Sequence, residues 1–199
     1  KTWVLEPHSL TLPDGYEGNL FRMDDEKNLL ATVVAFGESF TTPWLRLNVP
    51  VTIKTTDAGE VKAAYIVGAA NLGTFKVPFK REGNTITVKI PQFRGAASVV
   101  LAKAGRFVSV DTTLPVISPR GTYKFDVVAD NFTDETWDWK NTVWLDQKRE
   151  FHWEQIPAGQ SVTKPFKITV PKDMKKPFMQ MRLAKDVPSR LPVDDDGES

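Results

Sequence analysis

Short apolar runs alternate with polar residues along this chain, and turn residues interrupt them every ten or so positions. That rhythm predicts an all-β protein. Leu29–Phe36 (LLATVVAF) is apolar, β-branched and too short for a good helix. Leu45, Leu47 and Val49 alternate with Arg46 and Asn48, which puts one face inward and the other in water. Pro50 interrupts this pattern before Val51 and Ile53 resume it, so a bulge or an edge position is expected there. The clearest hairpin follows. Phe75, Val77 and Phe79 alternate with Lys76, Pro78 and Lys80, and beyond Glu82-Gly83-Asn84 the residues Ile86, Val88 and Ile90 alternate with Thr87 and Lys89. Gly83 or Asn84 accommodates the positive φ that such a turn needs. Ser98–Leu101 is expected to close this half.

The second half restarts with Tyr123, Phe125 and Val127 in alternation, and Thr142–Leu145, Phe166–Val170 and Phe178–Leu183 read as further strands. Between the halves, Thr113–Pro119 (TLPVISP) carries two prolines. With 199 residues the chain suits one large all-β domain or two of about 100 residues each. The pattern predicts two consecutive antiparallel β-sandwich domains, immunoglobulin-like or jelly-roll-like, at 1–110 and 122–199 with a linker at 111–121. No long run has helical periodicity with caps, and Lys172–Lys176 holds one helical turn at most. Pro192–Ser199 reads as a solvated acidic tail.

Composition narrows the function classes. Net charge is +1 and the basic residues are dispersed, so nothing points to nucleic acid. There is no cysteine, which removes disulfides, thiol nucleophiles and thiolate zinc sites. No apolar run approaches the roughly 20 residues that span a bilayer. Thr2–Leu5 already reads as structured chain, so the expectation is a segment that starts inside a longer protein.

Two resemblances add to this reading. Residues 2–104 resemble the β-sandwich that closes many glycoside hydrolases of gut-type bacteria. The likeness is carried by Leu45–Ile53, by Ala64–Val67 and by FKVPFKREGNTITVKIPQFRGAASVVLAKAG, where Pro91 and Val99-Val100-Leu101 supply the final elements. Residues 121–199 resemble a divergent GEVED domain. Val143-Trp144-Leu145-Asp146 with Phe151, Ile168-Thr169-Val170-Pro171, Met181-Arg182-Leu183 and Gly197-Glu198 carry that likeness. Gln147, Lys148 and Arg149 stand where that family has Asn and Gly. IPAGQSVTKPFKITVP is similar instead to a NEW3-type sandwich. Each resemblance implies an accessory β-domain of a secreted, periplasmic or cell-surface bacterial protein.

Candidate chemistry is sparse. The two histidines, His8 and His152, have no accompanying nucleophile motif, and no catalytic residue is assigned. Paired carboxylates would serve glycoside hydrolysis, but the acids fall in turn-rich stretches that suit solvated side chains. Asp130, Asp134 and Glu135 are the candidates for a structural calcium ion, and Asp194-Asp195-Asp196 is a second acidic stretch. The sharpest feature is aromatic: of six tryptophans, four fall within Trp137–Trp153. A sugar ring stacks its C–H face on an indole while polar groups bond its hydroxyls. Trp137, Asp138, Trp139 and Asn141 therefore form a candidate polysaccharide platform, since Trp137 and Trp139 share one side of an extended chain. The competing reading packs both indoles into a core or between domains. The functional expectation is a non-catalytic module whose partners are the domains of its parent protein. Carbohydrate binding is the alternative, and glycoside hydrolysis is third.

Overall fold

A computed structural model describes residues 3–6, 9–23, 28–35, 44–68, 73–110, 121–145, 148–170 and 181–185. Described residues are almost entirely strand, with one 3-10 turn at Ala58–Glu60. Numbered along the chain, the strands form three sheets. A nine-stranded sheet runs in the order β1 (Trp3–Leu5), β3 (Tyr16–Met23), β4 (Leu29–Ala35), β10 (Ala96–Ala102), β6 (Ala63–Gly68), β7 (Gly73–Val77), β11 (Arg106–Val110), β12 (Gly121–Asn131), β15 (Ser161–Val170). A four-stranded sheet runs β2 (Leu10–Thr11), β5 (Leu45–Lys54), β9 (Thr85–Arg94), β8 (Phe79–Glu82). A three-stranded sheet runs β14 (Lys148–Ile156), β13 (Trp137–Leu145), β16 (Met181–Lys185). The all-β sandwich class read from the alternation is the class observed.

The core lies between layers. Ala31 and Val33 of β4, Val99 and Leu101 of β10, and Ala64 and Ile66 of β6 face inward from the long sheet. Val49, Val51 and Ile53 of β5 and Ile86, Val88 and Ile90 of β9 come from the four-stranded sheet into the same buried cluster. Val110, Val127 and Ala129, at the far end of the long sheet, join it together with Trp137, Trp139 and Ile156 of the three-stranded sheet. Burying this apolar surface is the main stabilising contribution, at roughly 25 cal/mol per Å².

Several local expectations shift. Phe75–Lys80 is two strands, not one. Pro78 has no N–H to continue a ladder, so β7 stays in the long sheet and Phe79 begins β8 in the other. The Glu82–Asn84 turn is as expected, with Gly83 at φ 57°. Ser98–Leu101 does not close a half; β10 lies inside the long sheet between β4 and β6. Pro50 sits inside an unbroken ten-residue strand. It is tolerated because β2 pairs only with Thr52 and Ile53, so at Pro50 β5 has β9 alone as neighbour. Among the described residues the pairings are antiparallel except for a single parallel bridge, Val110 to Phe75. β11 closes the first expected segment, yet along its whole length it pairs with β12 of the second. Thr113–Pro119, Lys172–Lys176 and the acidic tail lie outside the described residues.

Leu45 and Leu47 depart most from the period-two reading. Asn48 takes φ 52°, and opposite it Pro91 interrupts β9. Both strands change face there. On one side of the break Val49 and Ile90 are buried; on the other, Phe93 is buried and Leu45 and Leu47 are 47% and 59% exposed.

Gly18 stands where β3 has no room for a side chain against β4. A Cβ at that position would stand 2.0 Å from the Thr32 carbonyl oxygen and 3.1 Å from methyl carbons of both Leu10 and Leu12. A backbone carbonyl in a ladder has no room to yield. Gly18→Ala is therefore expected to destabilise by about 2 kcal/mol or more, read as a lower urea midpoint. An unchanged midpoint would mean that β3 and β4 are not in this register.

Candidate functional site

The Trp137–Asn141 stretch has the parity expected and the opposite exposure. It forms the start of β13, and β14 pairs with all of it, from Trp137 with Ile156 to Asn141 with His152. Trp137 and Trp139 do share one face, but that face is the core: they are 2% and 0% exposed. Their ring centroids are 6.1 Å apart and tilted by 44°, and the Arg106 guanidinium lies 5.9 Å from the Trp137 centroid. The indoles expected to present a flat platform to a sugar are packing residues. Charged neighbours misled the sequence reading, because in a half-buried strand they occupy the opposite face. Asp138 is exposed and accepts a hydrogen bond from Gln155 Nε2 at 3.0 Å. Asn141 is placed by backbone register alone, against His152 and Lys185; its side chain lies outside the described residues.

The calcium candidates are also separated. Asp130 is fully buried near the end of β12. Its carboxylate accepts hydrogen bonds from the Tyr65 hydroxyl at 2.6 Å, from Lys76 Nζ at 2.7 and 2.9 Å, and from the Ser161 hydroxyl. Those donors satisfy it without an ion. Asp134 and Glu135 are exposed, and Glu135 lies 3.7 Å from Arg106. Asn131 folds the intervening loop. Its Nδ2 donates to the carbonyls of Glu135, Ile156 and Pro157, and its Oδ1 accepts from the backbone and hydroxyl of Thr133. Among the described residues no group of three or more metal-ligating side chains forms.

The Asp130 cluster is the most organised polar site described. Lys76 and Tyr65 come from β7 and β6, Asp130 and Ser161 from β12 and β15. It lies on the face of the long sheet opposite the main core, where Tyr65 stacks on Phe107 at 4.7 Å and Phe107 meets Phe132 at 6.1 Å. Lys62 covers Phe132 at 5.6 Å. A shallow groove of about 440 Å³ runs beside it, with Lys62, Lys76, Phe79 and Val128 in its lining. Burial, with the Asp130 carboxylate second, holds the Tyr65 phenol far above its ordinary pKa. This phenol therefore remains the hydrogen-bond donor to Asp130 through neutral pH. Of this cluster the sequence points only to Asp130, and there as a calcium candidate; nothing links Tyr65, Lys76 or Ser161 to it. The one available signal was an acid at position 130 inside a strand pattern, where a loop had been assumed.

A second charged cluster lies around the 3-10 turn. Arg22 bonds Glu6 at 2.5 Å and Asp57 at 2.6 Å, while Lys103, itself 4% exposed, and the Thr55 hydroxyl also donate to Asp57. Asn28 accepts from the backbone N–H groups of Lys103 and Ala104, and donates to the Ala104 carbonyl. Partial burial acts to raise the Asp57 pKa. Hydrogen bonds from Arg22, Lys103 and Thr55 outweigh it and hold the carboxyl well below the usual range. A depressed folded pKa gives stability that is present above the unfolded value, near 3.9, and is lost as pH falls. Melting temperature should therefore decline below about pH 5, and less steeply in Asp57→Asn. Parallel acid limbs for the two proteins would contradict this.

The fold defines an all-β sandwich protein. No protein-family model matches the chain, and no curated protein matches it. No helix among the described residues is long and apolar enough to cross a membrane.

Proposed function

We propose that this chain is a non-catalytic, structural β-sandwich module of a larger bacterial protein that processes glycans and is exported to the periplasm, the cell surface or the medium. Its partners are neighbouring domains of that protein, which it holds at a fixed distance and orientation. One observation carries this reading: a buried ionic junction, centred on Asp130, ties β6 and β7 of the first sequence segment to β12 and β15 of the second. A junction of this kind resists relative motion, which is what a spacer requires. Two further features support it. β11 pairs along its whole length with β12, and Trp137 and Trp139 are committed to packing. The glycan context comes from the resemblance of residues 2–104 and 121–199 to accessory sandwiches.

The purified chain is expected to release no chromophore above blank from a panel of aryl glycosides at pH 5 to 8. Turnover that survives repurification would overturn the non-catalytic reading.

A further inference from the structure

Independently of the spacer role, we propose that Asp14 is a site of spontaneous backbone modification, where the Asp14–Gly15 link is converted to an isoaspartyl link through a cyclic imide. The turn that carries it joins β2 of the four-stranded sheet to β3 of the nine-stranded sheet. Asp14 and Gly15 are both exposed. Among the described residues no hydrogen bond or ion pair engages the Asp14 carboxylate, and none engages the Gly15 N–H. The turn is closed by a backbone bond from the Tyr16 N–H to the Pro13 carbonyl at 3.3 Å.

The chemistry needs these features together. The Gly15 nitrogen attacks Asp14 Cγ and closes a succinimide ring. A C–N bond forms, the bond from Cγ to its hydroxyl breaks, and that hydroxyl leaves with the amide proton as water. Water then re-enters at either carbonyl of the imide. Opening at the original backbone carbonyl routes the main chain through Cβ and Cγ, with no net change in mass and no other reagent. A side chain on the following residue shields its nitrogen. Gly15 has none, and a Cβ built there meets nothing within 4 Å. Glycine also gives the backbone freedom to swing its amide towards the carboxyl. No other described aspartate is followed by glycine. Asp57, Asp130 and Asp138 are in addition held by hydrogen bonds.

The position gives the modification its consequence. Leu10 and Leu12 before the turn and Tyr16 after it pack against the main core, and Tyr16 meets Phe93 at 6.1 Å. An isoaspartyl link adds a backbone carbon between Pro13 and Tyr16, inside the ring that their hydrogen bond closes. The turn then no longer closes in its original register, and ageing loosens this crossing between two layers of the sandwich.

The test is prolonged incubation of the folded chain at neutral pH, followed by peptide mapping with fragmentation that separates isoaspartate from aspartate. Isoaspartate should build up at residue 14 well ahead of Asp57, Asp130 and Asp138, in a peptide of unchanged mass. Asp14→Glu, which would have to close a larger and slower ring, should accumulate none there. That variant should fold like the wild type, because the side chain is exposed. After incubation the wild type should melt lower than Asp14→Glu. Residue 14 remaining aspartate throughout would overturn the proposal. Isoaspartate at all these positions alike would also overturn it, since that is the chemistry of an unfolded chain. Equal melting temperatures after isomerisation would overturn the structural consequence. None of these results bears on the spacer reading, so each can fail alone.

Discussion

Trp139→Ala is expected to cost about 3–5 kcal/mol. The side chain is 0% exposed and belongs to the buried cluster that includes Val127 and Ala129 of β12 and Ile156 of β14. Truncation removes the apolar area of an indole and leaves a cavity beside Trp137, whose ring centroid is 6.1 Å away. In a protein of this size each kcal/mol lowers the melting temperature by about 2–4 °C, so the loss is roughly 6–20 °C. Trp44 is 71% exposed, and Trp44→Ala provides the internal contrast, with a change within about 0.5 kcal/mol. A carbohydrate platform at 137–141 would give the reverse order. Calorimetry on the two variants separates these outcomes, and a Trp139→Ala melt within a degree or two of the wild type would remove Trp139 from the core.

Asp130→Ala should be nearly as damaging, for a different reason. The mutation removes the acceptor shared by Tyr65, Lys76 and Ser161. It leaves two hydroxyls and an ammonium without their common acceptor. Breaking one side of a buried pair costs about 3–5 kcal/mol. Lys76 is 36% exposed and regains some hydration, so the lower end, about 3 kcal/mol, is expected. Lys76→Met in the Asp130→Ala background should recover part of that loss, because it removes the stranded charge. Urea denaturation of the two single variants and the double variant measures this coupling. Strict additivity would mean that the Lys76–Asp130 pair does not form in solution.

How much was legible in the sequence follows from the range of each signal. Alternation is local, so β4, β9 and β10 were readable from their own residues. What a strand pairs with is not local, and β10 proved central where it had been expected to close a sheet. Leu45 and Leu47 fit the inward pattern perfectly well until one residue, Asn48, adopts φ 52° and turns both strands over. Nothing in a period-two count registers a single left-handed residue. The indoles at 137 and 139 illustrate the same limit: parity placed them together, but only the layer above them determines whether that face is wet. The Asp130 junction was invisible because its members lie 54 and 65 residues apart from their acid.

The central claim is that the two sequence segments are held rigidly enough to act as a spacer. The chain contains no cysteine, so two introduced cysteines label it uniquely. Lys89→Cys on β9 and Thr163→Cys on β15 place spin labels at exposed positions in the two segments. Pulsed dipolar spectroscopy should give one narrow distance distribution, which broadens in Asp130→Ala. A broad or multiply peaked distribution in the otherwise unaltered chain would contradict a rigid spacer.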